Sequence, residues 1–267
     1  MRTVVHTLGY NTPRMIREAT ESLYALNNMD NIEHVITDLG YPLSDKFWDI
    51  MPSVKEAYVN KVMNIQENAI LAADHGSVFL KIPNVGVSQN WTVVSALMQL
   101  KEGDCLICAD PDERPQTKGW AEALAKVLHF DQTIAWASLM MDEQLPLFET
   151  EGFTYEEYFV GDVRYWVMTG KWMNWAQGGF NAKFINECGG VPFHQAATIY
   201  GWIEDACYPA MKKYGYKYVV LPDYKVEHIA SSPIAMQWKE YITSNVSDFK
   251  GQLTFDEYIA MKSQTAL

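Results

Sequence analysis

Three carboxylates fall within four positions at Asp110, Asp112 and Glu113, in the string "ADPDERP" that closes the apolar run from Cys105 to Ala109. Pro111 has a fixed φ and pushes Asp110 towards an extended conformation, so the Asp110 and Asp112 side chains, two residues apart, can lean to the same side. Like charges so placed repel unless a cation neutralises them. A hard divalent ion, Mg2+ or Mn2+, suits that role, and such ions are typically held by one or two carboxylates together with the phosphates of a nucleotide. A D-x-D read alone is more often a solvated acidic turn, so its surroundings must decide.

The other pattern with metal-like spacing is Cys105 and Cys108. Positions i and i+3 of a strand point to opposite faces, so this pair cannot share a metal, and with Cys188 and Cys207 it reads as small buried hydrophobes of a reducing compartment. The net charge of −12 argues against an extended phosphate-binding surface, while leaving room for a local basic groove. The N-terminus "MRTVVHTLGYNTPR" lacks a signal-peptide apolar core, and no apolar run reaches transmembrane length, so a soluble, cytoplasmic protein is expected. The 48% hydrophobic content over 267 residues supports one substantial core.

Strand and helix signals alternate over the first half, the pattern of an α/β layer with a mostly parallel sheet flanked by helices. Thr3 to Gly9 reads as a buried first strand, followed by Thr12 and Pro13 as cap and first turn of a helix with Ile16, Ala19, Leu23 and Leu26 on its stripe. Ile32 to Gly40 is a second strand delivering Asp38 to a turn, and Val54 to Asp74 a long helix. Ser77 to Gly86 gives a short strand and turn. Ser88 is placed as a helix cap, Trp91, Val94 and Leu97 or Met98 as that helix's buried stripe, and Gly103 as its end.

"DCLICA" is the next strand, so the acids sit past a strand's C-terminal end, where open α/β sheets bind ligands. Ile134 to Gly179 reads as two strands, "IAWASLMM" and "VRYWVMTG", flanking an acidic, aromatic loop. A helix containing "WIEDACYPAMKKYG" and a strand "YKYVVLP" follow, then a helical tail from Ser231 to Leu267. We expect one domain over residues 1–230, with halves 1–115 and 116–230, and a helical extension over 231–267.

"PNVGVSQNWTVVSALMQLKEGDCLICADPDERP" resembles the nucleotide-sugar segment of GT-A glycosyltransferases, family 2 in particular: an N-x-G-x-S turn, a helix with an Asn, a "GD", and a strand ending in D-x-D. "TVVHTLGYNTPRMIREATESLYAL" is similar to that family's opening strand, turn and helix. "GGFNAKFINECGG", "WIEDACYPAMKKYGYKYVVLPDYKVEH" and the stretch between them resemble its acceptor half, with a Gly-Gly turn, an E-D pair opening a helix, and a strand leading to His. The likeness runs over residues 3 to 229 with its elements in order.

The resemblance implies a GT-A (Rossmann-like) fold and an inverting transfer of one sugar from a nucleotide sugar, a UDP-sugar first, to an acceptor hydroxyl. It implies that Asp110, Asp112 and His228 hold Mn2+ or Mg2+. Asp38 and the turn Thr7, Leu8, Gly9 and Tyr10 would take the base and ribose, with Asn84, Gly86 and Asn90 completing the donor site. Asp205 would be the catalytic base, since an acceptor hydroxyl must lose its proton as it attacks the anomeric carbon, and Glu204 would assist. Trp172, Trp175, Gly178 and Gly179 would face the acceptor, in a region that also carries Tyr155, Tyr158, Phe159, Tyr165 and Trp166 with Arg164, Lys171 and Lys183 nearby.

The second strand ends "DLG" where relatives often carry two acids, which weakens the base-binding assignment. No Q-x-x-R-W run is present; "MQWKEY" lacks the Arg, so single transfer is expected rather than polymerisation. The acceptor is open between a saccharide, a hydroxymethylated pyrimidine of bacteriophage DNA, and a protein or lipid. Two alternatives stay open. A sugar nucleotidyltransferase should carry a Gly-rich, Arg- and Lys-bearing loop where this chain has "TLGYNTPR". A non-catalytic nucleotide-sugar or carbohydrate-binding module would be expected to lose one of the Asp residues.

Overall fold

The computed structural model describes residues 1–9, 13–39, 65–82, 87–141, 152–170, 177–193, 203–228 and 261. Their frame is one mixed sheet of ten strands. Four strands form its parallel part: β1 (Thr3–Gly9), β2 (Ile32–Asp38), β3 (Val78–Lys81) and β4 (Cys105–Ala109), in the spatial order β3-β2-β1-β4. β1 and β4 are buried along their whole length and show no alternation; β4 reads as an unbroken apolar run, while β1 buries His6 and Thr7 among its apolar residues. The chain winds outward from β1 through β2 to β3, then returns to β1's other side with β4. Strand order therefore reverses between β1 and β4, the position at which open α/β sheets form a crevice.

Beyond β4 the sheet turns mixed. β9 (Gly178–Asn181) runs antiparallel between β4 and β6 (Ile134–Met141), and β6 pairs in parallel with β10 (Lys217–His228). The hairpin β7 (Tyr155–Val160) and β8 (Val163–Met168) extends that edge, and the short β5 (Glu113–Pro115) pairs with the far end of β10. The expected α/β sheet flanked by helices is what the chain forms.

Helices α1 (Pro13–Leu26) and α4 (Trp120–Phe130), with α2 over residues 65–74, accompany α3 (Val87–Leu97), α5 (Ala182–Glu187) and α6 (Ile203–Tyr214). The sheet separates two cores. One gathers Trp91, Val94, Phe180, Phe184, Cys207 and Met211; the other gathers Leu23, Trp120, Leu124, Leu128 and Ile107. Cys108 lies in the first core and Cys105 in the second, both free thiols on opposite faces, as their spacing requires. Burial pushes the Cys105 thiol up to about 12, so neither is poised as a thiolate ligand.

Several local expectations change. α3 already includes Val87, so Ser88 lies buried in its first turn and is not its cap, and its carbonyl accepts from Thr92 Oγ1 at 3.0 Å. The stripe of α3 is Trp91, Val94 and Ser95, whereas Leu97 is 54% exposed. The helix ends without Gly103: the left-handed position after it belongs to Gln99, at φ 53°. Gly178 and Gly179 form no turn. They sit in β9, where a Cβ on Gly178 would run into the Ala137 carbonyl and the Trp136 ring. The acidic aromatic loop contains β7, half of a hairpin. The helical tail, the first part of the long second helix and the Thr12 cap fall outside the described residues; Met261 is helical.

One polar cluster is built into the parallel half. His6 Nε2 lies 2.7 Å from Thr37 Oγ1, and Thr7 Oγ1 lies 3.0 Å from His34 Nε2. His34 Nδ1 meets Ser77 Oγ at 2.8 Å, and Ser77 Oγ meets the Tyr24 hydroxyl at 2.9 Å. Both imidazoles are held neutral, their pKa values lowered to about 3 chiefly by burial.

Candidate active site

Register brings the parallel strands to a common edge: Gly9 stands opposite Asp38, and Thr7 opposite Ala109, one residue before Asp110. At that edge Asp110, Pro111, Asp112 and Glu113 form a turn closed by the Glu113 amide donating to the Asp110 carbonyl at 3.1 Å. Pro at the second position is pre-set for such a turn. The chain then enters β5, whose Glu113 pairs with His228 of β10. Two segments more than a hundred residues apart are thereby joined, and His228 Nε2 arrives 3.7 Å from Asp112 Oδ2. The turn is braced from the other side by the Arg114 guanidinium donating to Glu18 of α1.

The predicted metal ligands thus meet in part. Asp112 and His228 face each other and Asp110 lies on the same turn, but no group of three metal-ligating side chains converges among the described residues. This donor set fits a Mg2+ or Mn2+ that takes one or two carboxylates from protein and the rest of its shell from phosphate oxygens. It does not fit a closed all-protein cage.

Beneath the turn lies a cavity of about 100 Å³ lined by Trp91, Cys108, Asp110, Glu113, Trp136, Gln177, Gly178, Ile203 and Glu204. Glu204 and Gly178 therefore share a space with Asp110. Asp205, the next residue, is exposed and borders a different, wider pocket of about 470 Å³ between α3 and α6, with Gln89, Thr92, Phe193, Lys213 and Tyr214. Both acids lie in the first turn of α6, where the helix dipole favours negative charge. Pro209, four residues after Asp205, cannot donate to the Asp205 carbonyl, so the helix is loosened at that residue.

The donor-side predictions divide. Thr7 and Leu8 remain inside β1, Thr7 fully buried with its hydroxyl taken by His34 and Leu8 part of the core, so their side chains form no cradle; Gly9 ends the strand. A Cβ on Gly9 would meet the Ile16 side chain, which explains glycine at this close approach of β1 to α1. Asp38 is 1% exposed, with Oδ2 accepting from Asn68 Nδ2 at 2.6 Å. Asn90 is fully buried in α3. Tyr10, Asn84, Gly86, Trp172, Trp175 and Lys171 lie outside the described residues.

Of the aromatics expected near the acceptor, Tyr165 and Trp166 are packed into the hairpin: Tyr155 stacks on Trp166 at 4.1 Å between ring centroids, and Tyr158 on Tyr165 at 5.8 Å. Phe159 is exposed. The nearby cations are engaged, Arg164 with Asp223 and Glu157, and Lys183 with Glu102. Sequence reasoning missed two cavity residues, Trp91 and Gln177. Trp91 carried a core-stripe signal that is also true, since it stacks on Trp136. Gln177 was visible only as the residue before "GG".

No family model matches the chain, and no curated protein matches it. Solved structures do. A mannosyltransferase from Pyrobaculum calidifontis, PcManGT, in complex with GDP-Man and Mn2+, aligns over 98% of this chain at 14% identity and a TM-score of 0.52. The chain spans 64% of that protein's length. UTP-bound UGPase from Acinetobacter baumannii aligns over 100% of this chain and 99% of its own, at 11% identity and a TM-score of 0.50. Glucosyl-3-phosphoglycerate synthase from Mycobacterium tuberculosis aligns over 84% of this chain and 71% of its own, at 13% identity and a TM-score of 0.46. Among the described residues no helix is long and apolar enough to cross a membrane. The fold is that of the GT-A glycosyltransferases.

Proposed function

We propose that the protein moves one sugar from a nucleotide sugar to an acceptor hydroxyl, with inversion at the anomeric carbon. The observation that carries the reading is the β5/β10 pairing, which sets His228 against Asp112 at the end of β4, beside the crevice between β1 and β4. Asp110, Asp112 and His228 would hold the cation together with the donor diphosphate. The ion, Mn2+ or Mg2+, would supply positive charge to the departing diphosphate.

Asp205 stands exposed on the wide pocket, where an acceptor has room, and would take the hydroxyl proton as the acceptor oxygen bonds to the anomeric carbon and the bond to the diphosphate oxygen breaks. Glu204, on the smaller cavity with Asp110, would face the donor sugar. A saccharide is the acceptor we favour, with hydroxymethylated pyrimidine DNA second, because Arg164 and Lys183 are already ion-paired.

A second reading, formation of a sugar nucleotide from a nucleoside triphosphate and a sugar phosphate, draws on the full-length match to UGPase. Products separate the two. With a panel of nucleotide sugars and Mn2+, sugar transfer releases nucleoside diphosphate, whereas nucleotidyl transfer releases pyrophosphate from a triphosphate. Asp112→Asn should lower donor turnover at least tenfold, and unchanged turnover would remove the cation site from this turn.

A further inference from the structure

Among the side chains that line the small cavity, Trp91 and Gln177 carry buried polar atoms that no described residue satisfies. Trp91 and Gln177 are each only 3% exposed. The buried Trp91 Nε1 and Gln177 Oε1 have no hydrogen-bond partner among the described residues. Leaving such a group unmet costs on the order of 1–3 kcal/mol, and native interiors rarely tolerate it without a reason. Here the two orphans are complementary, because an indole N–H can only donate and an amide oxygen can only accept.

Both residues line the cavity that also holds Asp110 and Glu204. That setting decides what could satisfy them. A metal cation could meet the Gln177 oxygen but would leave the donor-only indole N–H unmet. An anion such as phosphate would be repelled by Asp110, Glu113 and Glu204. A neutral hydroxyl donates and accepts at once, so it meets both. The floor is apolar and aromatic, with Trp91 and Trp136 ring centroids 6.4 Å apart at an interplanar angle of 29°, which suits the C–H face of a ring that carries hydroxyls on its edge. The cavity, about 100 Å³, has room for a hydroxyl-bearing group.

We propose that Trp91 and Gln177 read one hydroxyl of the transferred sugar, the Trp91 N–H donating to its oxygen and the Gln177 carbonyl oxygen accepting a hydrogen bond from its O–H, and so set which sugar is moved. The inference rests on the proposed donor chemistry, since Asp110 at the cavity's rim places the sugar there rather than the base or ribose. Trp91 and Gln177 are specificity-determining residues on this account, and the reaction's bond changes are left to other groups.

The test is equilibrium binding with Mn2+ present, of nucleoside diphosphates, of the matching nucleotide sugars, and of analogues lacking one sugar hydroxyl at a time. Wild type should bind one deoxy analogue about tenfold more weakly than its parent, and the other deoxy analogues nearly as well as the parent. Trp91→Phe, which keeps a ring and removes the N–H, and Gln177→Met, which keeps the length and removes the oxygen, should each lose about tenfold for the parent sugar. Both should bind diphosphate alone as wild type does, and neither should discriminate against that analogue. A deoxy series bound evenly by wild type overturns the inference even if neither variant folds. So does weakening of diphosphate and sugar alike in both variants, which is the mark of a packing role. Failure of wild type to bind any diphosphate or nucleotide sugar removes the proposed function, and this subsite with it; diphosphate binding with even sugars removes the subsite alone.

Discussion

Acidification from pH 7 to pH 5 should destabilise this fold through two buried histidines. His6 is held at a pKa of about 3 by burial and then by the charge of His34, and His34 at about 3 by burial and then by the charge of His75. In the unfolded chain both return to the ordinary 6.5. The neutral state is therefore preferred on folding. The stability it brings is fully present above pH 6.5 and is lost as pH falls towards the folded values. At pH 5 each unfolded imidazole sits 1.5 units below its pKa, which corresponds to about 2 kcal/mol per histidine, or about 4 kcal/mol for the pair. Against a total of about 5–15 kcal/mol that is a large fraction.

The assay is urea unfolding at half-unit pH steps. Near pH 5 the unfolded chain holds about two more protons on these sites than the native one, so stability should fall by about 2.7 kcal/mol per pH unit. With a urea slope of about 3 kcal/mol/M, the midpoint moves by about 1 M per pH unit. His6→Gln and His34→Gln each keep a polar group for Thr37 or Thr7 while removing one titration, and each should lower the slope by about 1.4 kcal/mol per pH unit whatever it does to absolute stability. His129, half-buried and shifted in the same direction, contributes equally to wild type and variants. The carboxylates that folding depresses, Asp104 and Asp131 among them, act below this window. A slope untouched by either substitution would refute the reasoning, because the charge-excluding environment assigned to this network would then be wrong.

Gly178→Ala should cost about 3 kcal/mol and lower Tm by about 6–10 °C, since its Cβ meets the Ala137 carbonyl and the Trp136 ring inside a sheet bonded on both sides; a melt within 2 °C of wild type would show that β9 can shift. Asp205→Asn should reduce transfer by about 100-fold or more while nucleotide-sugar binding persists. Glu204→Gln should instead weaken binding of the sugar relative to the diphosphate, and a reversal of these two phenotypes would exchange the roles of the acids.

How much of this could be read from sequence depended on whether a residue's reason lay in its own segment. β1 is legible end to end because every residue of it is buried, and Asp110–Asp112 because a proline fixes the turn between them. β9 is not legible: "GGFN" reads as a turn, and its glycines are dictated by the Trp136 ring and the Ala137 carbonyl of β6, some forty residues away in sequence. β7 shows mostly exposed residues on both faces because it is an edge strand, so it offers no alternation to detect. The family resemblance puts Thr7 in a ligand turn, yet its hydroxyl is claimed from β2 by His34. Trp91 and Gln177 show the same limit at the site itself, for an orphaned donor is visible only when every partner it could have had is in place.

The pair Glu204–Asp205 shows what the sheet adds to the motif. In sequence the two acids are one feature, and only the family resemblance gives Asp205 the base role and Glu204 an assisting one. On α6 their side chains point some 100° apart, as consecutive helical residues must, and the surrounding elements turn that angle into two environments. Glu204 joins the cavity closed by β4, β9 and α3, where Asp110 already sits, and Asp205 opens onto the pocket shared with Gln89, Phe193 and Lys213. A reaction that brings two substrates together along one line needs a boundary of this kind, with a carboxylate on each side of it. The helix can supply it only because β10, leaving α6 through one turn, returns along β6 to place His228 at the Asp112 turn. The same strand that anchors α6 thus completes the opposite wall. Shortening or shifting β10 would therefore uncouple His228 from Asp112 while leaving the acid pair in place.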